Sequence, residues 1–300
     1  MPLRRFLKFT AAGRVAVMPY RFFAVALPYT LRNFWLALRW TFVSKEHYNH
    51  TYDLTVLNRL YLDSYISVIS GTDFSTIQKY SRELEEDEGL RQKLKERTMA
   101  SPQRHNCDVE PRYGRRIGWY ALVRATKPRA VVETGVDRGL GTVVLAAALK
   151  RNAAEGFPGV VYATDIVPDC GHLLDEVYRP FYHLLIGDSV QSLQRFDKTI
   201  DLFIHDSNHD PAYEWAEFLA IERRLHRGSL VLSDNSQQTT KLLEFAQRIG
   251  RAFLYFQDAP KGHWWPGDGI GAAFVPGART FFPELELGRV REAQVTKATV

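Results

Sequence analysis

The chain has 300 residues, of which 45% are hydrophobic and 24% are charged, and this composition excludes a disordered or fibrous protein. Its two cysteines, Cys107 and Cys170, exclude a disulfide framework and a four-cysteine zinc site, so a metal would need oxygen or imidazole ligands. They favour a reducing compartment, and we expect a cytoplasmic protein, with peripheral membrane association left open.

The positive charge is concentrated at the beginning of the chain. Residues 1–45 carry eight basic side chains and no acidic one, whereas the rest of the chain has 31 basic against 34 acidic side chains. This distribution argues against a nucleic-acid surface on the body of the protein, and we expect no nucleic-acid partner. It favours an arm that meets an anionic surface.

The arm is apolar but regularly interrupted by arginine. No run of about 18 uncharged residues occurs in it, so we expect no membrane-spanning helix. At about 100° per residue, four arginines share one helical face, as in helices that lie in a membrane interface: Arg14, Arg21, Arg32 and Arg39. Pro19 and Pro28 predict two or three short segments. Packing on a second subunit or on the protein itself, and a cleaved targeting segment, remain alternatives.

The middle of the chain has the pattern of polar-faced helices. Residues 52–98 include a first helix with Leu57, Leu60 and Tyr61 at helical spacing, ended by Gly71, and a second helix capped by Asp73 or Ser75. Residues 99–112 are polar and irregular, which predicts a linker. We therefore expect three regions: a basic amphipathic arm over 1–45, a helical region with its linker over 46–112, and a third domain over 113–300.

The third region alternates short β-branched runs with helical stretches. This alternation predicts a parallel sheet covered by helices on both faces, with ligands bound at the carboxyl ends of the strands. The predicted strands are 130–133, 160–164, 183–186, 200–204, 230–232 and 252–256.

The first predicted strand runs into a glycine-rich loop over residues 133–142. Gly135, Gly139 and Gly141 stand where a chain must turn sharply or approach a ligand closely before the next helix begins. Their spacing differs from the Gly-x-Gly-x-x-Gly of dinucleotide oxidoreductases, and Glu133 would repel a pyrophosphate. The loop therefore suits a cationic ligand and disfavours an oxidoreductase.

Acidic residues also end the second and third strands. Asp165 is placed to accept both hydroxyls of a ribose, and Asp188 is placed to bond an adenine edge. One acidic residue at a strand end is a common cap, but three in register indicate a nucleoside-containing ligand.

Residues 113–275 resemble the class I S-adenosylmethionine-dependent methyltransferases. The resemblance implies an α/β Rossmann-like, doubly wound seven-stranded sheet whose last strand, near 271–275, is antiparallel. It implies S-adenosylmethionine as the methyl donor, with Glu133 facing the amino end of its methionine moiety. The implied cofactor-binding residues are Glu133, Thr134, Gly135, Gly139, Gly141, Asp165 and Asp188.

The fourth and fifth strand ends carry a second polar group. Adjacent parallel strands lie about 4.8 Å apart, so Asp206, Asp234 and Asn235 can converge, and three oxygen ligands suit Mg²⁺. The alternative is a helix cap and a turn. The same three residues resemble the metal ligands of catechol-type and sugar-modifying O-methyltransferases. His209 stands where the catechol-type enzymes carry a lysine base, whereas strand alternation turns His205 away from Asp206.

We therefore predict a Mg²⁺-dependent O-methyltransferase with Asp206 and His209 as catalytic residues. The acceptor would be a small molecule with a hydroxyl group, such as a sugar, glycolipid or natural product, and a homo-oligomer is possible. Trp264 and Trp265 would stack on the acceptor or pack the sheet edge. Two alternatives remain: a metal-independent methyltransferase with His209 as base, and a non-catalytic binding protein that retains the cofactor fold.

Overall fold

A computed structural model describes residues 3–47 and 50–278. The ends of the predicted arm and of the predicted third domain, residues 1–2 and 279–300, lie outside the described residues. Seven strands form one sheet in the order β3-β2-β1-β4-β5-β7-β6, in which β7 is antiparallel to both neighbours. The predicted seven-stranded Rossmann-like sheet with an antiparallel last strand is confirmed. The strands are β1 (Ala130–Thr134), β2 (Val160–Asp165), β3 (Tyr182–Ile186), β4 (Ile200–His205), β5 (Leu225–Asp234), β6 (Ala252–Gln257) and β7 (Gly269–Phe274).

The arm folds as consecutive helical segments that remain exposed. The segments are α1 (Leu3–Phe9), α2 (Ala11–Ala16), α3 (Met18–Tyr20), a π-helical stretch (Arg21–Ala26) and α4 (Leu27–Val43). Pro19 lies inside α3 and Pro28 in the first turn of α4, where a proline costs no hydrogen bond. Among the described residues, no helix is long and apolar enough to cross a membrane.

Helices cover both faces of the sheet. One face packs against α8 (Arg116–Thr126) and α9 (Leu140–Ala154), and outside them lie α5 (Val56–Ser70), α6 (Phe74–Glu85) and α7 (Glu88–Ala100). The other face packs against α10 (Ser189–Arg195), α11 (Pro211–Ile221) and α12 (Lys241–Arg248). Val131 and Val132 of β1 belong to opposite cores, because successive strand residues point to opposite faces.

Two helices of the middle region, α5 and α6, have capping residues at their ends. Thr55 accepts a hydrogen bond from the backbone of Asn58 at the start of α5, and Gly71 ends that helix with φ +66°. Asp73 caps α6. Leu57, Leu60 and Tyr61 lie on α5 as their spacing predicts, but they are exposed, because the face towards the core is the one with Leu62, Tyr65, Ile66 and Ile69.

The register of the sheet aligns the strand ends that carry the polar motifs. Thr134 of β1 pairs with His205 of β4, which pairs with Ser233 of β5. Gly135 follows Thr134, and Asp206 follows His205. These two residues therefore leave the sheet side by side, next to Asp234, which is the last residue of β5. This alignment positions the site.

Candidate functional site

Two adjoining cavities lie at the carboxyl ends of the parallel strands. The larger, of about 440 Å³, is bounded by the glycine loop and the ends of β4 and β5, and the smaller, of about 410 Å³, by the ends of β2 and β3. Gly135, Asp137, Asp206 and Ser207 line both cavities. One elongated ligand can therefore reach from the smaller cavity into the larger.

Two glycines of the loop are required by close contacts. Gly135 has φ +85°, and a Cβ there would lie 2.0 Å from the carbonyl oxygen of Asp206. A Cβ at Gly141 would lie 2.2 Å from Oε1 of Glu133. These glycines let the loop pass directly over the end of β4 and let the Glu133 carboxyl group lie against the first turn of α9.

Glu133 lines the larger cavity although it is only 1% exposed. Burial raises the pKa of its carboxyl group to about 7, despite the hydrogen bond of 2.6 Å that Thr142 Oγ1 donates to it. A cationic group in the cavity would stabilise the ionised form. The neighbouring Thr134 lines neither cavity, because its hydroxyl group is buried and donates to Glu217.

Asp165 lines the smaller cavity and also shapes the glycine loop. Its Oδ2 accepts hydrogen bonds from the backbone nitrogens of Val136 and Asp137, at 2.9 and 2.8 Å, and its Oδ1 accepts one from Val167 at 2.8 Å. Carboxylate oxygens have about four lone-pair sites in total. Asp165 therefore retains acceptor capacity for a ligand hydroxyl while it fixes the loop.

The remainder of the smaller cavity combines polar and apolar groups. Asp188 caps α10 and accepts a hydrogen bond of 2.9 Å from the hydroxyl of Tyr213, and both residues line the cavity. The apolar part of the lining is Ile166 and Val167, whose side chains are 72% and 48% exposed. Apolar side chains beside fixed carboxylates suit a flat base joined to a ribose.

The structure brings Asp206, Asp234 and Asn235 together in the larger cavity. The carboxyl groups of Asp206 and Asp234 are within hydrogen-bond reach of each other. Burial and the Asp234 charge raise the pKa of Asp206 well above its usual value. Burial alone would also raise the pKa of Asp234, but the Arg115 guanidinium holds it at about 2.

Two arginines that the sequence reasoning missed form hydrogen bonds with these predicted metal ligands. Arg115 donates to both carboxylate oxygens of Asp234, and its Nη2 also lies 3.3 Å from Oδ1 of Asn235. Arg116 Nη2 lies 3.3 Å from Oδ2 of Asp206. Over residues 3–47 and 50–278, no group of three His, Cys, Asp or Glu side chains is placed to hold a metal ion. Because Arg115 and Arg116 bond the oxygens of the three predicted Mg²⁺ ligands, these oxygens do not fit the ion in this arrangement.

His209 lies beside this group and lines the same cavity. Its Nε2 accepts a hydrogen bond of 2.9 Å from Nδ2 of Asn235, and burial lowers its pKa. A neutral imidazole here can accept a proton. His205 is fully buried with its Nδ1 2.6 Å from Oε2 of Glu217, and it lines neither cavity.

The mouth of the larger cavity is lined by His50, Thr51, Trp265 and Asp268. Trp264 turns away from the cavity and packs edge-on against Trp40 of α4, with ring centroids 5.4 Å apart. Trp265 lines the cavity and Trp264 packs on the arm, so stacking on an acceptor stays a prediction. Trp40 was missed because its sequence neighbourhood carries no motif.

Comparison with known proteins identifies the segment that carries this geometry. Residues 132–236 match the family model of the methyltransferase domain. This segment is similar to the methyltransferase domain over about a third of the chain. The predicted resemblance to the class I methyltransferases is confirmed over the segment that holds the glycine loop, Asp206 and Asp234. The search of curated proteins gave no match.

Several solved structures are similar to the chain at low identity. One is an O-methyltransferase from Streptomyces achromogenes involved in tomaymycin synthesis, in complex with SAM, with 16% identity over 75% of this chain and 100% of that chain and a TM-score of 0.44. Another is an O-methyltransferase from Bacillus cereus in complex with SAH, with 16% identity, 72% and 97% coverage and a TM-score of 0.41. A SAH-bound methyltransferase from Podospora anserina has 13% identity, 62% and 87% coverage and a TM-score of 0.45.

The contacts of Gly135 in the methyltransferase domain lead to a stability prediction. Gly135→Ala should lower the free energy of unfolding by about 3 kcal/mol or more, because the Cβ would collide with backbone. Gly156→Ala is the matched control, since Gly156 has φ +90° but no atom within 4 Å of a Cβ, and it should cost about 1 kcal/mol. Urea unfolding measures both; equal losses would contradict the proposed role of the close contact.

Proposed function

We propose that the protein is an S-adenosylmethionine-dependent O-methyltransferase that acts on a hydroxyl group of a small molecule. The observation that carries the proposal is the position of His209 in the cavity that also contains Glu133 and the glycine loop. This cavity continues into one with the polar and apolar lining that a nucleoside needs. Donor and acceptor can therefore meet beside a base. Within this proposal, residues 113–300 are the catalytic domain and residues 46–112 support it.

The donor would occupy both cavities. Its nucleoside would lie in the smaller one, with its ribose hydroxyls at Asp165 and its base between Ile166, Val167 and the side of Asp188. Gly135, Gly139 and Gly141 shape the loop over its middle, and Glu133 would face its cationic methionine end. Bound here, S-adenosylmethionine supplies an activated methyl group on a positively charged sulfur.

The acceptor hydroxyl would lie beside His209. The imidazole Nε2 accepts the hydroxyl proton while the oxygen forms a bond to the methyl carbon, and the electrons of the broken sulfur–carbon bond remain on sulfur. Asp206 lies in the same cavity, where burial and the charge of Asp234 raise the pKa of its carboxyl group. We propose that it bonds the acceptor oxygen and orients it. No step of this proposal uses the Mg²⁺ ion predicted from the sequence, because Arg115 and Arg116 bond the oxygens that would hold it.

We further propose that the acceptor is a sugar, glycolipid or other natural product presented at an anionic membrane. The arm has large apolar side chains that the protein leaves exposed, such as Phe34, Trp35 and Phe42 at 55%, 62% and 80%. Its basic side chains complement anionic lipid headgroups. Trp40, near the end of α4, packs against Trp264 beside the cavity mouth. A membrane-bound arm would therefore keep the mouth close to the lipid surface.

The non-catalytic alternative requires that His209 have no acceptor to deprotonate. His209→Gln should lower kcat by about 10²- to 10⁴-fold, because glutamine cannot take the proton, while S-adenosylhomocysteine binding stays within about twofold. His105→Gln, in the exposed stretch between α7 and α8, is the control. Initial rates with hydroxylated acceptors and calorimetric titration measure the two quantities. Unchanged kcat in His209→Gln would remove His209 from the reaction.

The nucleoside position can be tested without disturbing the fold. Ile166→Asp should weaken S-adenosylhomocysteine binding by about tenfold or more, since it places a charge beside the base, and should change the free energy of unfolding by less than about 0.5 kcal/mol. Val68→Asp is the control, because Val68 is also an exposed apolar residue but lies on α5. It should change neither the affinity for S-adenosylhomocysteine nor the free energy of unfolding. Equal affinities in wild type and Ile166→Asp would place the nucleoside elsewhere.

The arm proposal predicts a charge-dependent partition onto membranes. Replacing Arg14, Arg21, Arg32 and Arg39 by glutamate should reduce co-flotation with phosphatidylglycerol vesicles by about a hundredfold or more, because each arginine near the surface contributes about 1 kcal/mol. The control carries the same four changes at exposed arginines of the body: Arg104, Arg195, Arg223 and Arg227. If the body variant loses flotation and the arm variant keeps it, the arm is not the contact.

A further inference from the structure

Arg115 is the most heavily bonded side chain around the candidate site. It is 6% exposed, and it donates to both oxygens of Asp234, to Asp258 Oδ2 at 3.0 Å and to Asp268 Oδ2 at 3.4 Å. The hydroxyl of Tyr52 lies 3.3 Å from its Nη1. The guanidinium is therefore held from the end of β5, from the loop before β7 and from the segment before α5.

The guanidinium lies where the predicted ion would lie. Its Nη2 contacts Asp234 Oδ2 and Asn235 Oδ1, which are two of the three predicted ligands. An arginine is always charged and matches a carboxylate with two parallel N–H donors. A divalent ion at this position would have to break that buried pair and leave a guanidinium beside a second cation, which is strongly unfavourable in a buried site.

We infer that Arg115 takes the place of a divalent ion in this protein, so that methyl transfer proceeds without a metal. The inference rests on the proposed function. Under it, the positive charge at this end of the cavity belongs to the chain itself, and it keeps Asp234 ionised and held against Asn235.

Arg115 also positions His209 through Asn235. Arginine has only donors, so the Asn235 oxygen must face Arg115 and the Asn235 nitrogen must face His209. Because Nδ2 donates, Nε2 of His209 carries a lone pair rather than a proton. An acceptor hydroxyl that replaces this amide contact would meet the imidazole in the form that accepts a proton. Arg115 is therefore a positioning residue.

Metal binding can be measured without either substrate, using Mn²⁺ as the probe in electron paramagnetic resonance. The wild-type protein should bind no Mn²⁺ at submillimolar concentrations, and EDTA should leave its methyl transfer unchanged. One bound Mn²⁺ that is lost in Asp234→Asn, or activity that EDTA abolishes and Mg²⁺ restores, would overturn the inference. A failed transferase assay would bear only on the proposed function, because Mn²⁺ binding needs no turnover.

Removing the guanidinium should create the metal site that it replaces. Arg115→Ala should gain one Mn²⁺ with an affinity at least about tenfold above wild type, since Asp234 and Asn235 become free oxygen ligands beside Asp206. The gain should disappear in Arg115→Ala/Asp234→Asn. A folded Arg115→Ala that gains no Mn²⁺ would contradict the substitution of guanidinium for ion.

Arg116→Ala is the matched control, because it removes a neighbouring arginine from the same cavity but leaves Arg115 on Asp234. It should gain no Mn²⁺. Circular dichroism checks that each variant folds. If Arg115→Ala does not fold, Arg115→Lys and the wild-type measurements decide, since lysine keeps the charge and should likewise exclude Mn²⁺.

Discussion

The strand-end architecture depends on the pairing of buried carboxylates with one buried guanidinium. Asp234 and Asp258 are 2% and 1% exposed, and an unpaired buried carboxylate costs several kcal/mol. Arg115 bonds both, and its contact with Tyr52 ties the segment before α5 to the sheet. The helical region is therefore joined to the sheet at the site itself, and two residues at the cavity mouth, His50 and Thr51, come from outside residues 113–300.

The elements that follow local rules could be predicted from the sequence. Parallel strands end in register, so the polar residues that follow β1, β2, β3 and β4 were expected at one edge, where the two cavities lie. The turn at Gly71 and the cap at Asp73 are equally local. Each of these depends on residues that are close in sequence, or on a register that the sheet enforces.

The features that depend on tertiary packing could not be predicted. Arg115 and Asp234 are 119 residues apart, and nothing in the spacing of either residue indicates their pairing. The buried face of α5 is decided by what α8 and the sheet offer it, and both of its faces are apolar in sequence. Trp40 contacts the 261–268 loop for the same reason. The sequence indicated that Asp206, Asp234 and Asn235 converge, but it did not indicate the two arginines that bond them.

The charge of the cavity also bears on product release. Five carboxyl groups and three guanidinium groups line the larger cavity: Glu133, Asp137, Asp206, Asp234 and Asp268 against Arg115, Arg116 and Arg138. Methyl transfer converts a charged sulfonium into a neutral thioether. Under the proposed function, Glu133 would attract the spent donor less strongly than the fresh one. Glu133 would thus help the donor to bind and its product to leave.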